Sequence, residues 1–222
     1  MKINIITLFP NIFESFFGES IIHRAQKKGV LELNIIDLRN YTSDNHKTVD
    51  KKPFGGGAGM LMMIEPIYKC LKSIKVEKGR DKEKILLTSP KGEVLSQKTS
   101  VELSELQQLT LICGHYEGVD HRVVEHLVDA EISIGKYILS GGEVASMVIV
   151  DAVSRLIKGS LGNPSSIVDE SFSDEDNLEY PQYTRPEIFV TDTGEQWNVP
   201  EILLSGNHAE IEKWKKSKKI IP

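Results

Sequence analysis

The residues best suited to chemistry sit in two short glycine-bearing loops, CGHYEGVD at 113–120 and SIGKYILSGGE at 133–143. Each follows an apolar, β-rich run, and about one helix of chain separates them. Two such loops at the ends of neighbouring strands can close around one small ligand. Glycines there admit a close approach where any Cβ would collide. A third stretch, KPFGGGAGM at 52–60, carries four glycines within five residues. Together the three loops point to a ligand held largely by backbone. The common nucleotide motifs do not fit it. No Gly-Lys-Ser/Thr follows Gly59, which excludes a P-loop, and a G-x-G-x-x-G counted from Gly55 ends on Met60. Taken alone, Gly141 and Gly142 before a helix would equally be a turn, and Asp169 and Glu170 would be solvated linker carboxylates.

The elements that must position these loops alternate. Strand patterns run over 2–9, 31–37, 85–88, 109–113 and 130–134. Helical patterns run over 11–28, 64–76, 96–106, 119–128 and 144–158. In the first helix Ile12, Phe13, Phe16, Phe17 and Ile21 share one side, with Gly29 as the stop. Ser89 and Pro90 end the third strand, and Ser96 caps the next helix. Strands alternating with helices predict an α/β fold with a mainly parallel sheet covered on both faces. Ligands in such sheets bind beyond the carboxyl ends of the strands, where the glycine loops fall. The polar segment 40–59 is a long loop of the kind that carries function.

After Gly159 the pattern breaks. The domain organisation predicted is 1–159 for the main domain, 160–177 for a linker or lid, and 178–222 for a small, mainly helical C-terminal domain. Its last helix, about 207–221, carries Lys213, Lys215, Lys216, Lys218 and Lys219 beside Trp214.

With 222 residues, 40% hydrophobic and 27% charged, the chain has the composition of a soluble globular protein. A net charge of −5 argues against coating nucleic acid by bulk charge, and leaves local basic patches to do any such work. Cys70 and Cys113 show no metal-ligand spacing and read as reduced packing thiols. No signal-peptide cleavage site or membrane-spanning stretch is found, so a cytoplasmic location is expected.

At this point the sequence resembles a known family. IITLFP at 5–10, HKTVD at 46–50, residues 53–63, the two glycine loops, DAVSR at 151–155, GSLG at 159–162, YTRP at 183–186 and LSGNH at 204–208 occur in the order found in bacterial tRNA (guanine-37-N1)-methyltransferases. These belong to the SPOUT superfamily of trefoil-knotted methyltransferases. The resemblance implies a knot formed by residues around 85–142, an exception to the rule that chains do not thread loops. It also implies S-adenosylmethionine as methyl donor, held by Ser89, Pro90, Gly114, Tyr116, Glu117, Gly118, Ile134, Gly135, Tyr137, Leu139, Gly141 and Gly142. It further implies a homodimer whose active sites are completed by both chains, and leaves a Mg2+ requirement open.

The implied substrate sets the chemistry. N1 of guanosine carries a proton at neutral pH, so methylation there needs a base and a stabiliser for charge gathering on O6. A carboxylate suits the first role and a guanidinium the second. By resemblance Arg155 is the guanidinium. The family commonly has Asp directly before Ser-Phe, whereas this chain reads DESF at 169–172. Ungapped alignment puts Glu170 at the catalytic position, with Asp169 as its substitute. His46, Asp50 and Gly59 match the family's RNA-facing loop. Lys213, Lys215 and Lys216 would give phosphate contacts in an abbreviated tRNA-binding domain. His115 stands where the family usually has Arg, and would keep an RNA contact as a partly protonated group. His121 replaces an acid and Lys136 an Asp. Two other readings remain: a ribose 2′-O methyltransferase, which needs no carboxylate at N1, and a non-catalytic module that binds cofactor and RNA without transfer.

Overall fold

A computed structural model of the protein describes residues 1–161 and 178–218. The chain divides into two compact units, Met1–Gly162 and Asn163–Pro222. The first is built on five parallel strands, β1 (Lys2–Thr7), β2 (Glu32–Asp37), β5 (Glu83–Val94), β6 (Gln108–Cys113) and β7 (Ala130–Ser133), in the order β2-β1-β6-β5-β7. Between them lie α1 (Glu14–Phe17), α2 (Ser20–Lys27), α3 (Ile64–Ser73), α4 (Gln97–Ser104), α5 (His121–His126) and α6 (Glu143–Ser154). A small antiparallel pair, β3 (Asp50–Lys51) and β4 (Leu61–Met62), stands outside the sheet. The α/β class with a parallel sheet is as the sequence predicts.

The two faces of the sheet follow from the two-residue repeat of its strands. Ile3, Ile5, Leu109, Leu111 and Leu86 pack with Phe13, Phe17, Ile149, Val150 and Val153. On the other face Ile6, Ile85, Leu87 and Ile112 pack with Ile67, Cys70, Leu71 and Val123. One polar row crosses that second face. Asn4 donates from its amide to Thr110 Oγ1 at 3.2 Å and accepts from Asn34 Nδ2 at 3.2 Å, and all three residues are in register. Burial demands such pairing, because an unmatched amide there costs about 1–3 kcal/mol.

Two local expectations are corrected, and one element appears that was not expected. The helix expected over 11–28 is a 3-10 turn (Pro10–Phe13) followed by α1 and α2, broken at Gly18 and at Ser20, whose φ is +57°. Phe13, Phe17 and Ile22 go inward, whereas Ile12 and Phe16 stay exposed. Secondly, β5 does not stop at Ser89. It pairs with β6 as far as Thr88 and with β7 again from Glu93, with Thr88 and Glu93 both facing Ile132. Residues 89–92 are therefore an excursion from the ladder, the one place in this strand where Pro90 needs no amide partner. The C-terminal unit is not only helical. It holds a hairpin of β8 (Ile188–Val190) and β9 (Gln196–Asn198) before α7 (Glu201–Leu204) and α8 (His208–Lys218).

Candidate active site: a glycine-lined cavity at the strand ends

A half-enclosed cavity of about 530 Å3 opens beyond the carboxyl ends of β5, β6 and β7. Ser89 and Pro90 enter it from the β5 excursion, together with Lys91. Gly114, Tyr116, Glu117 and Gly118 enter it from the loop after β6, with His115 among them. Ile134, Gly135, Tyr137, Leu139, Gly141 and Gly142 line it from the segment between β7 and α6. All the residues assigned to the cofactor by resemblance are thus brought to one cavity. Lys136 does not line it, and His121 does.

The excursion depends on Gly92, where an added Cβ would lie 2.3 Å from the Ile132 backbone nitrogen. The loops are then locked together by backbone. The Gly142 amide donates to the Gly114 carbonyl at 2.7 Å, and His115 and Gly141 form an antiparallel bridge. A Cβ on Gly142 would sit 1.9 Å from Thr88 Oγ1 and 2.8 Å from Cys113 Cα. Thr88 itself donates to the Ile112 carbonyl at 3.1 Å and accepts from the Gly114 amide at 3.3 Å. Tyr116 adopts a left-handed backbone with φ +59°, uncommon for a residue with a side chain and a frequent mark of a functional loop. The Asp120 carboxylate caps α5 by accepting from the Arg122 amide at 3.0 Å. It also accepts from the Arg122 guanidinium, which holds it below the usual carboxylate range.

Behind the cavity lies a polar cluster that sequence reasoning missed. Glu143 is only 5% exposed, and its Oε1 accepts from the Thr7 hydroxyl at 2.9 Å. Its Oε2 lies 3.9 Å from His115 Nδ1, a buried nitrogen with no hydrogen-bond partner among the described residues. The His115 ring packs on Phe9 and Tyr116, at centroid distances of 5.1 and 4.9 Å. Burial, and then the charge of Glu143, push the Cys113 thiol far above its ordinary range, so it is no nucleophile.

The other expected site residues fall elsewhere. Arg155 is the C-terminal cap of α6, whereas the cavity is at the N-terminal end of that helix. Twelve residues of helix span about 18 Å, so Arg155 and the cavity of its own chain stand apart. Asp169 and Glu170 lie outside the described residues. His46 is exposed, and Asp50 pairs with Met62 in the β3–β4 hairpin. Gly59 touches the cavity loop, since a Cβ there would lie 2.2 Å from Glu117 Cγ. In the C-terminal unit, Lys213 pairs with Glu210 and Lys215 with Glu212, each at 2.8 Å, and Lys216 is exposed. Lys215 also lies over the Tyr180 ring. Among the described residues no His, Cys, Asp and Glu cluster could hold a metal ion.

Comparison with known proteins bears on this site. The family described as tRNA (Guanine-1)-methyltransferase TrmD matches residues 1–221. A tRNA (guanine-N(1)-)-methyltransferase of Ruminiclostridium cellulolyticum is 50% identical over 215 residues, covering 97% of this chain and 89% of the relative. Those of Carboxydothermus hydrogenoformans and Dictyoglomus turgidum are 48% and 50% identical, over 100% and 97% of this chain and 83% and 84% of theirs. On this match, and with the family's glycine loops meeting at one cavity, the chain belongs to the tRNA (guanine-1)-methyltransferase family.

Proposed function

We propose that the protein transfers the methyl group of S-adenosylmethionine to N1 of guanosine 37 in tRNA. The observation that carries this reading is the convergence of the family's glycine loops on one cavity in a chain that matches the family throughout. The cavity fits the donor. Its volume is in the range of small-ligand sites, and Leu87, Ile132 and Ala145 give it apolar walls. Glu117 and Glu131 on its lining suit a ligand carrying ammonium and sulfonium charges. The backbone of Gly114, Gly118, Gly135 and Gly141 would hold the adenosine, unobstructed by side chains. When bound, S-adenosylmethionine supplies an electrophilic methyl group.

The protein's part is to orient the guanine and manage its proton. Glu170, or Asp169 in its place, takes the proton from N1. The Arg155 guanidinium stabilises the negative charge that gathers on O6. Because Arg155 stands a helix length from its own cavity, the site is completed by a second copy in a homodimer. An apolar face supports this. Phe9, Ile12, Phe16, Val144 and Val148 are each 42–48% exposed, and α6 packs beside the 3-10 turn that carries Ile12. Phe9 joins the face to the cavity through its contact with His115. The trefoil knot belongs to the same reading, supported by the tight crossing of Gly142 over Thr88 and Cys113. The exposed lysines of α8 would contact phosphates of the tRNA.

The test is the identity of the product. tRNA methylated with labelled donor and digested to nucleosides should yield label in 1-methylguanosine. Label in a ribose-methylated nucleoside would establish the 2′-O reading instead. Cofactor and tRNA binding without product would establish the non-catalytic one.

A further inference from the structure

The β3–β4 hairpin ends in a tip, residues 52–60, that presents one aromatic side chain wholly to solvent. Phe54 is fully exposed, more than any other large hydrophobic residue described. Its neighbours Gly55 and Gly56 both have φ +82°, and a Cβ on either would meet nothing within 4 Å. The tip therefore arches clear of the protein, while its stem is fixed. Asp50 pairs with Met62 and Lys51 with Leu61. The far edge of the stem is bonded to the cavity loop: the Met62 amide donates to the Gly118 carbonyl at 3.0 Å, the Asp120 amide to Met62 at 2.9 Å, and the Glu117 amide to Met60 at 3.1 Å. Leu61 in turn lines the cavity. An aromatic ring is thus carried at the tip of a hairpin whose stem is hydrogen-bonded to a loop that lines the cavity. Just before Phe54 in the same hairpin, Lys51 and Lys52 are exposed. Of the nearby acids, Asp44 is tied into its own turn by Thr48, and Asp50 is half-buried in the stem.

We propose that Phe54 is a stacking post for an unpaired base of the RNA substrate next to the methylated guanosine, with Lys51 and Lys52 contacting the flanking phosphates. This rests on the RNA substrate proposed above. An exposed aromatic ring that closely follows two exposed lysines in the chain suits single-stranded RNA, whose bases offer a π-face and whose backbone offers charge. Phe54 positions the substrate and takes no part in the proton transfer.

The test uses the full-length protein with Phe54→Ala, Phe54→Leu and Phe54→Trp, a G37 tRNA transcript, and the same transcript with 2-aminopurine beside G37. Phe54→Ala and Phe54→Leu should raise the tRNA concentration for half-saturation roughly 5- to 150-fold, the effect of losing one base–aromatic stack. Donor binding and melting temperature should stay at wild-type values, because the ring packs on nothing among the described residues. Phe54→Trp should retain wild-type kinetics, and tRNA should quench more indole fluorescence in it than in the wild type, which carries Trp197 and Trp214. Quenching of 2-aminopurine by the wild type should vanish with Phe54→Ala. Phe54→Ala kinetics equal to wild type would overturn the proposal. So would Phe54→Leu matching Phe54→Trp, which would mean plain apolar contact. Dissociation of the Phe54→Ala dimer in sedimentation would show that a second copy occupies the ring instead. Wild-type protein that transfers no methyl would overturn the activity itself, whereas an active wild type with an equally active Phe54→Ala overturns the stacking contact alone.

Discussion

At the scale of single residues, the site depends on atoms that are missing. Gly142 lets the entry of α6 cross Thr88 and Cys113 at a distance no side chain permits. Gly142→Ala should destabilise the fold by about 1–3 kcal/mol, the usual penalty for overpacking, and abolish donor binding. Thermal melting and calorimetric titration with S-adenosylmethionine check both effects. The two cysteines give a second expectation. Burial pushes the Cys70 thiol up to about 12 and Cys113 higher still, so neither forms a thiolate at pH 8 while folded. Iodoacetamide should therefore label neither in the native protein and both after denaturation, as mass spectrometry would read. The glycines were legible in the sequence because a cluster of them has few other uses. The Thr7–Glu143–His115 cluster was not, because Thr7 and Glu143 are 136 residues apart in the chain. No local spacing announces such a pairing.

At the scale of elements, periodicity served where packing and propensity agree. The Ser96 cap stands as read, its hydroxyl accepting from the Thr99 amide at 3.1 Å. The strands with continuous apolar runs are equally as expected. It misled where a special backbone intervenes. Residues 11–28 have helical spacing throughout, yet the turn at Ser20 divides them and leaves Ile12 and Phe16 outside. Ser89 and Pro90 looked like a strand end, but β5 resumes beyond them along the other neighbour. The hairpin Ile188–Val190 and Gln196–Asn198 was missed, although a Thr-Gly turn at 193–194 between β-prone triplets is its signal. The excursion in β5 yields a prediction of its own. Gly92→Ala drives a methyl into the β7 backbone and should lower the melting temperature and weaken donor binding together, since the same residues form the ladder and the cavity wall. Loss of stability with donor affinity unchanged would separate the excursion from the site.

At the scale of the whole molecule, the proposed reading divides the site between two chains. The cavity is at one end of α6 and Arg155 at the other. Complementation between two inactive variants is therefore expected. Arg155→Ala lacks the guanidinium and Gly142→Ala lacks the donor site. In a dimer of one of each, one of the two sites is whole if the groups come from opposite chains. Subunits mixed in equal amounts and refolded together should recover roughly a quarter of wild-type activity, half the dimers being mixed with one good site each. No recovery, with mixed dimers demonstrated by mass, would place Arg155 and its cavity in the same chain. The central claim is more directly tested by one measurement, single-turnover transfer of labelled methyl to a tRNA transcript carrying G37 and to its A37 counterpart. Label on the G37 transcript alone is expected. Equal labelling of both, or none on either despite bound donor, would contradict it.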